Sequence, residues 1–408
     1  MVNFASVRIE RSKPSVAVVF LAAGLLAALP ISVPVRGAPG DEFRGSSTAS
    51  SGSVISTFNH AVKKGAFTLP FEPTSFYLRS VLDYLRIPVE SQILVFSQSS
   101  FLAKLINQEN PRAIYFNDDV AVGWVPGSST IEAAAVDPGR GIAFYRLESG
   151  TEKPLFQQDG SCLSCHQSQR TLGVPGLFVL STPLDRDRGG FVTDHRTPFT
   201  ERWGGWYVTG FSSKFRHLGN RTGQGWLQSL YDQFNTSPYL TEYSDIVALM
   251  TFEHQTRAAN LITRLAGEAR AGETGPQLRE AVNSLVDYLL FVDEAPLPSR
   301  IIGTSGFREK FEALGPFDRR GRSLRQFDLH SRMMLYPCSY MIYSKAFDAL
   351  PFAAKESVYA RLWSILSGRS DESRYTRLPR ADRRAIIEIL QDTERDLPRY
   401  FTSPSGKE

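Results

Sequence analysis

The chain has 408 residues, 42% hydrophobic, 22% charged and 12% aromatic, which is globular composition at about two domains' length and excludes intrinsic disorder. Four of the 46 Lys and Arg and one of the 42 Asp and Glu fall in residues 1–38, so the remainder carries 42 against 41, a net of +1. A chain so balanced has no electrostatic footprint for nucleic acid, and that class of partner is set aside.

In chain order, Arg8, Arg11 and Lys13 precede an apolar or small-residue run over 16–29, ended by Pro30. That is the basic-then-apolar layout of a secretory signal, with cleavage expected after Gly37. Retained, the segment would act as an anchor; no later stretch has the roughly 20 apolar residues a span needs. The expected location is the periplasm or another extracytoplasmic compartment. Residues 39–54 are Gly- and Ser-rich and read as a flexible linker. Helices are predicted over 55–64 and 75–87. Short β-prone runs follow at 92–97, 113–117, 120–125, 131–136 and 141–147, with hairpin turns at Asn117-Asp118-Asp119 and Asp137-Pro138-Gly139-Arg140-Gly141. Residues 55–150 are thus an α+β unit around a small antiparallel sheet. Residues 151–222 are irregular, strand-like only at 176–181 and 206–210, and a stretch that long signals function or order imposed by something other than the backbone. Residues 223–408 read as helical, with a long helix capped by Ser244-Asp245 and running to about 271, then helices near 276–292, 328–347, 354–367 and 380–393. The fold class is α+β.

Two of the three cysteines lie in Cys162-Leu163-Ser164-Cys165-His166. Cys-x-x-Cys-His is the attachment sequence of c-type haem. Two intervening residues place both thiols within one helical turn, at the separation of two vinyl groups on adjacent pyrroles, and the next residue falls beneath the iron as proximal ligand. The export signal agrees independently, because covalent attachment takes place in the compartment it leads to. Three other readings of the pair are open at this point: a local disulfide, half of a zinc site completed by Cys338, and a thioredoxin-like redox motif, which would want a βαβ context that is missing. Cys338, flanked by Tyr336, Pro337 and Tyr340, is expected to be a buried free thiol.

For the sixth iron position the preferred candidate is His254, which shares the apolar stripe of the long helix with Val247, Leu261 and Leu265. A buried imidazole needs a partner, and either iron or a core hydrogen bond would serve. His217, His195 (beside Asp194) and Met250 follow as candidates. Met333, Met334 and Met341 read as core packing on a helix, and His60 and His330 carry no signal. The dense segment Glu201-Arg202-Trp203-Gly204-Gly205-Trp206-Tyr207 could supply Arg and indole donors to haem propionates, with Arg202, Trp203 and Trp206 first, then Arg196 and Arg216, or could simply be a packed turn.

At its Cys-x-x-Cys-His string the chain resembles c-type cytochromes, which implies one covalent haem c but not the small cytochrome fold, since a long segment precedes the motif and no Met loop follows it. The strings Asn117-Asp118, Gly123-Trp124-Val125, Asp194-His195-Arg196-Thr197-Pro198, Arg202-Trp203-Gly204-Gly205-Trp206-Tyr207, Glu253-His254-Gln255 and Tyr336-Pro337-Cys338-Ser339-Tyr340 resemble a family of uncharacterised exported bacterial proteins, a likeness that covers most of the mature chain and implies no activity. The expectation is an exported mono-haem cytochrome passing single electrons to a redox protein or small-molecule donor or acceptor. Its rivals are a peroxidase-type haem oxidoreductase with an open distal side, and a haem-free protein with a metal on His195, His217 and His254.

Overall fold

Strand β3 (Val120–Trp124) is buried at every position, a pattern expected when both faces of a sheet are covered. It lies centrally in a seven-stranded antiparallel sheet in the computed structural model, which describes residues 53–98, 101–150, 154–182, 190–214, 216–220 and 226–402. The signal segment and nearly all of the predicted linker lie outside the described residues.

The other strands are β1 (Ile93–Val95), β2 (Arg112–Phe116), β4 (Thr130–Asp137), β5 (Gly141–Glu148), β6 (Phe156–Gln158) and β9 (Trp206–Tyr207), in the order β6-β5-β4-β3-β2-β1-β9. Both predicted hairpins are present, β2–β3 and β4–β5, and β4 pairs along its whole length from Thr130↔Glu148 to Asp137↔Gly141. A separate pair joins β7 (Val179–Ser181) to β8 (Phe191–Thr193). Strands β6 and β8 were not anticipated, being too short to show a period.

Side-chain alternation sorts the sheet into two cores. Tyr115, Val122, Trp124, Ile131, Ala133, Ala143 and Tyr145 face helices α1 (Val54–Lys63) and α2 (Leu78–Leu85). On the other face Phe116 and Ala121 meet the helical half, while Ala134, Ile142 and Phe144 meet Cys162, Leu163 and Leu177. Gly123 permits a close approach there: a side chain at 123 would collide with the Arg112 guanidinium, which crosses β3 to pair with Glu132 at 2.7 Å.

The second half is helical: α4 (Ile246–Arg270), α5 (Pro276–Leu289), α6 (Phe307–Ala313), α7 (Lys345–Asp348), α8 (Phe352–Leu366) and α9 (Arg380–Thr393). Helix α4 starts where the sequence places it. Asp245 Oδ1 accepts from the amides of Val247 (2.7 Å) and Ala248 (3.3 Å), which are among the groups a helix N-terminus leaves unpaired. The helix is buried on nearly every side, including Glu253 and His254 at 0% exposure, so its polar residues must find partners inside. The helix expected over 328–347 is absent. Pro337 cannot donate to a helix and pushes Tyr336 out of helical geometry, Asp328 turns the chain by accepting from the amides of Ser331 and Arg332, and only a 3₁₀ turn at Tyr340–Tyr343 and α7 remain. Helix α6 was not foreseen. The molecule is α+β, with a mainly helical C-terminal half, and among the described residues no helix is long and apolar enough to cross a membrane.

Candidate functional site

Asp159 begins the Cys segment by accepting from the amide (3.0 Å) and hydroxyl (2.6 Å) of Ser161, starting a 3₁₀ turn, Gly160–Cys162, that runs into α3 (Leu163–His166). Both cysteines are free, Cys162 half-buried against the sheet and Cys165 exposed. Burial, then the adjacent Asp159 carboxylate, pushes the Cys162 thiol up to about 11, so it is protonated at neutral pH. That is the opposite of the lowered pKa that activates a redox Cys-x-x-Cys.

His166 sits between Phe144 of β5, with ring centroids 4.8 Å apart, and Phe178, at 5.1 Å and stacked. Its Nδ1 lies 2.9 Å from the Gly176 carbonyl oxygen. A carbonyl only accepts, so Nδ1 carries the proton and Nε2 keeps the lone pair. Burial lowers the pKa against a smaller opposing pull from that hydrogen bond, which keeps the ring neutral at pH 7. The cross-strand ion pair Arg112–Glu132 stands near it, and Arg146 pairs with Asp159 at 2.8 Å beside Cys162.

The loop beyond α3 is ordered by side chains rather than by regular structure. Ser168 and Thr171 form a reciprocal cap, and the Gly176 amide returns to the His166 carbonyl at 2.9 Å. Asn260 of α4 donates to the Leu177 carbonyl at 2.8 Å, and a side chain at Gly176 would collide with Asn260. The turn is thus clamped between β5 and α4.

The other predicted site residues gather elsewhere, in a buried network on a different side of α4. His254 Nε2 lies 2.7 Å from Ser339 Oγ, and its Nδ1 lies 2.8 Å from Nδ1 of His195. With the Ser339 hydroxyl donating to His254 Nε2, His254 Nδ1–H donates to His195, and only the buried His195 Nε2–H lacks an acceptor. The reverse orientation would strand two groups instead of one. Tyr288 stacks on both rings, Phe291 stacks on His254 and lies tilted against His195, and burial lowers His254 to about 3 and His195 well below the ordinary histidine value. Arg202 pairs with Glu253 at 3.0 Å and also donates to the carbonyls of Thr197 and His195. Burial raises the Glu253 pKa, and the Arg202 charge pulls it back. The Trp203 indole lies beside Glu253, and Trp206 Nε1 donates to the Leu180 carbonyl. Arg202 and Trp206 therefore spend these donors inside the protein. Arg196 pairs with Asp194 at 2.6 Å, and Arg216 is exposed.

His217 is buried separately between Trp203 and Trp226, its Nδ1 accepting from the Gly219 amide. Met250, Met333, Met334 and Met341 are core residues, although the last three lie outside any α-helix. Cys338 is fully buried and free, its thiol pushed up to about 12 by burial. Among the described residues the one cluster of three or more metal-ligating groups is Asp348, Glu394 and Asp396, so Cys338 does not complete a site with Cys162 and Cys165, and His217 does not join His195 and His254. A cavity of about 170 Å³, lined by Phe291, Glu294, Arg332 and Arg377, shares no residue with the Cys162–His166 turn.

Of the residues around that turn, reasoning from sequence missed Asp159, Phe144, Phe178, Gly176 and Asn260. Asp159 carried a usable signal, an N-cap residue directly before a turn; the others are brought in by the fold. No protein-family model matches the chain, and comparison with curated proteins and with solved structures gives no match either.

Proposed function

We propose that the protein is an exported mono-haem c-type cytochrome, with haem c covalently held by Cys162 and Cys165, His166 as proximal ligand, and single-electron transfer as its task. The observation that carries this reading is the state of His166. A metal-ligating histidine characteristically donates its other ring N–H to a carbonyl or carboxylate, which fixes tautomer and ring orientation. His166 makes that bond to Gly176 in the chain's own fold, which leaves Nε2 as a neutral, deprotonated donor. Cys162 and Cys165, three apart on the same turn, are free for addition. In thioether formation each sulfur bonds to one vinyl carbon and the thiol hydrogen goes to the other, so nothing leaves and no oxidant is needed.

Bound there, haem c supplies a one-electron iron couple. The chain holds the imidazole neutral, flanks it with Phe144 and Phe178, and fixes the attachment turn against β5 and α4. Cys165 is exposed, which keeps the attachment edge at the surface, where a redox protein or small-molecule donor or acceptor can approach.

The test is expression with haem-maturation machinery followed by haem staining of a denaturing gel. The wild-type band should stain, and the Cys162→Ala plus Cys165→Ala double variant should not. A wild-type band that keeps no stain after denaturation would remove the reading.

A further inference from the structure

Resting on the haem assignment above, the placement of this chain's histidines and methionines points further. We propose that no histidine or methionine among the described residues takes the sixth position of the iron, which is open to a small exogenous ligand such as cyanide, carbon monoxide or nitric oxide.

Protein-derived axial ligands of c-type iron are chiefly imidazole and thioether. Every histidine of the chain, and every methionine except Met1, lies among the described residues. His254, the candidate favoured by sequence, has both ring nitrogens engaged, Nε2 with Ser339 and Nδ1 with His195. It also faces the wrong way. Helix α4 meets the Cys segment through Asn260, which holds Leu177, and Thr263, which packs beside Gly141 and Pro175. At about 100° per residue these stand roughly 120° and 180° around the helix from His254, so the helix itself separates that imidazole from the segment.

His195 is tied into the same pair on the α5 side, stacked on Tyr288 at 4.1 Å. His217 lies near β9, because Gly219 packs on Val208, whereas His166 lies on β5. Those strands are five places apart in the sheet order, roughly 24 Å at about 4.8 Å per strand. His60 is on α1, which covers the opposite face of the sheet from Cys162. His330 belongs to a turn tied to Ile301 and Leu297, and the four described methionines are at most 3% exposed and packed in the core of the helical half.

The experiment is spectroscopy on the intact holoprotein, after haem staining has established covalent haem. The expected result is a high-spin ferric electron paramagnetic resonance signal that converts completely to low spin on adding potassium cyanide, with a Soret shift, and carbon monoxide binding to the ferrous form. The variants His254→Gln, His217→Gln and Met250→Leu should leave the starting high-spin spectrum unchanged. A low-spin wild-type spectrum that excess cyanide does not shift would overturn the proposal while leaving the haem assignment standing. A protein without covalent haem would overturn both. The wild-type spectrum decides by itself, so a variant that fails to fold does not blur the result.

Discussion

His166 is half-buried and His254 fully buried, and their surroundings use the two rings differently. His166 spends one nitrogen on the Gly176 carbonyl and keeps the other, whereas His254 spends both and acts as a core hydrogen-bonding residue between Ser339 and His195. Removing His254 leaves two buried partners unsatisfied, at about 1–3 kcal/mol each. His254→Ala should therefore lower stability in chemical denaturation by more than a surface substitution does. His217 offers a cleaner reading of burial. Its pKa falls from 6.5 to about 4, by desolvation. Between those values the unfolded chain binds a proton that the folded chain refuses, so this residue's contribution drains away as pH drops from 6.5 toward 4. A variant His217→Phe lacks that penalty. Its stability relative to wild type should rise as pH falls through this window, by up to about 1.4 kcal/mol per pH unit, as measured by urea denaturation at pH 7 and pH 5. An unchanged difference at the two pH values would contradict the buried neutral state.

At the scale of elements, α4 binds the two halves of the chain together. Asp245, which accepts from the Thr304 and Ser305 amides as well as capping the helix, the Glu253–Arg202 pair and the Asn260 clamp all reach segments distant in sequence. Asn260→Ala should cost about 1 kcal/mol through the lost bond to Leu177 and should speed hydrogen exchange at the Gly176 amide, which closes the loop over His166. Exchange unchanged at Gly176 would show that the loop is held by other contacts. The cap, length and buried stripe of α4 were legible because each is a local pattern, as were the β2–β3 and β4–β5 turns. The partner of His254 was not legible, since Ser339 and His195 reach it across 85 and 59 residues. Apolar content at 328–347 misled for a related reason: the segment is buried as turns around Pro337 and Ser339, and burial alone does not specify a helix. Cys162 to His166 do share one turn, as their spacing implies; the haem read from that spacing is the proposal made above.

For the whole molecule, a twice-covered sheet explains why so long a chain would surround one proposed haem. Helices α1 and α2 cover one face, the helical half covers most of the other, and the attachment turn takes the part of that second face around Ala134, Ile142 and Phe144. The same arrangement gathers Arg202, Trp203, Trp206, His195, His217 and His254 into interior packing away from that turn, while Arg216 stays exposed. Two thioether bonds to one haem at Cys162 and Cys165, as proposed, are read from a pyridine haemochrome spectrum of the purified protein together with the mass of the peptide spanning Cys162 to His166. The expected result is the α-band of a haem with both vinyl groups saturated and a peptide heavier by one haem. A colourless protein whose peptide has the unmodified mass with two free thiols, or a pigment that acid–acetone extracts, would contradict it.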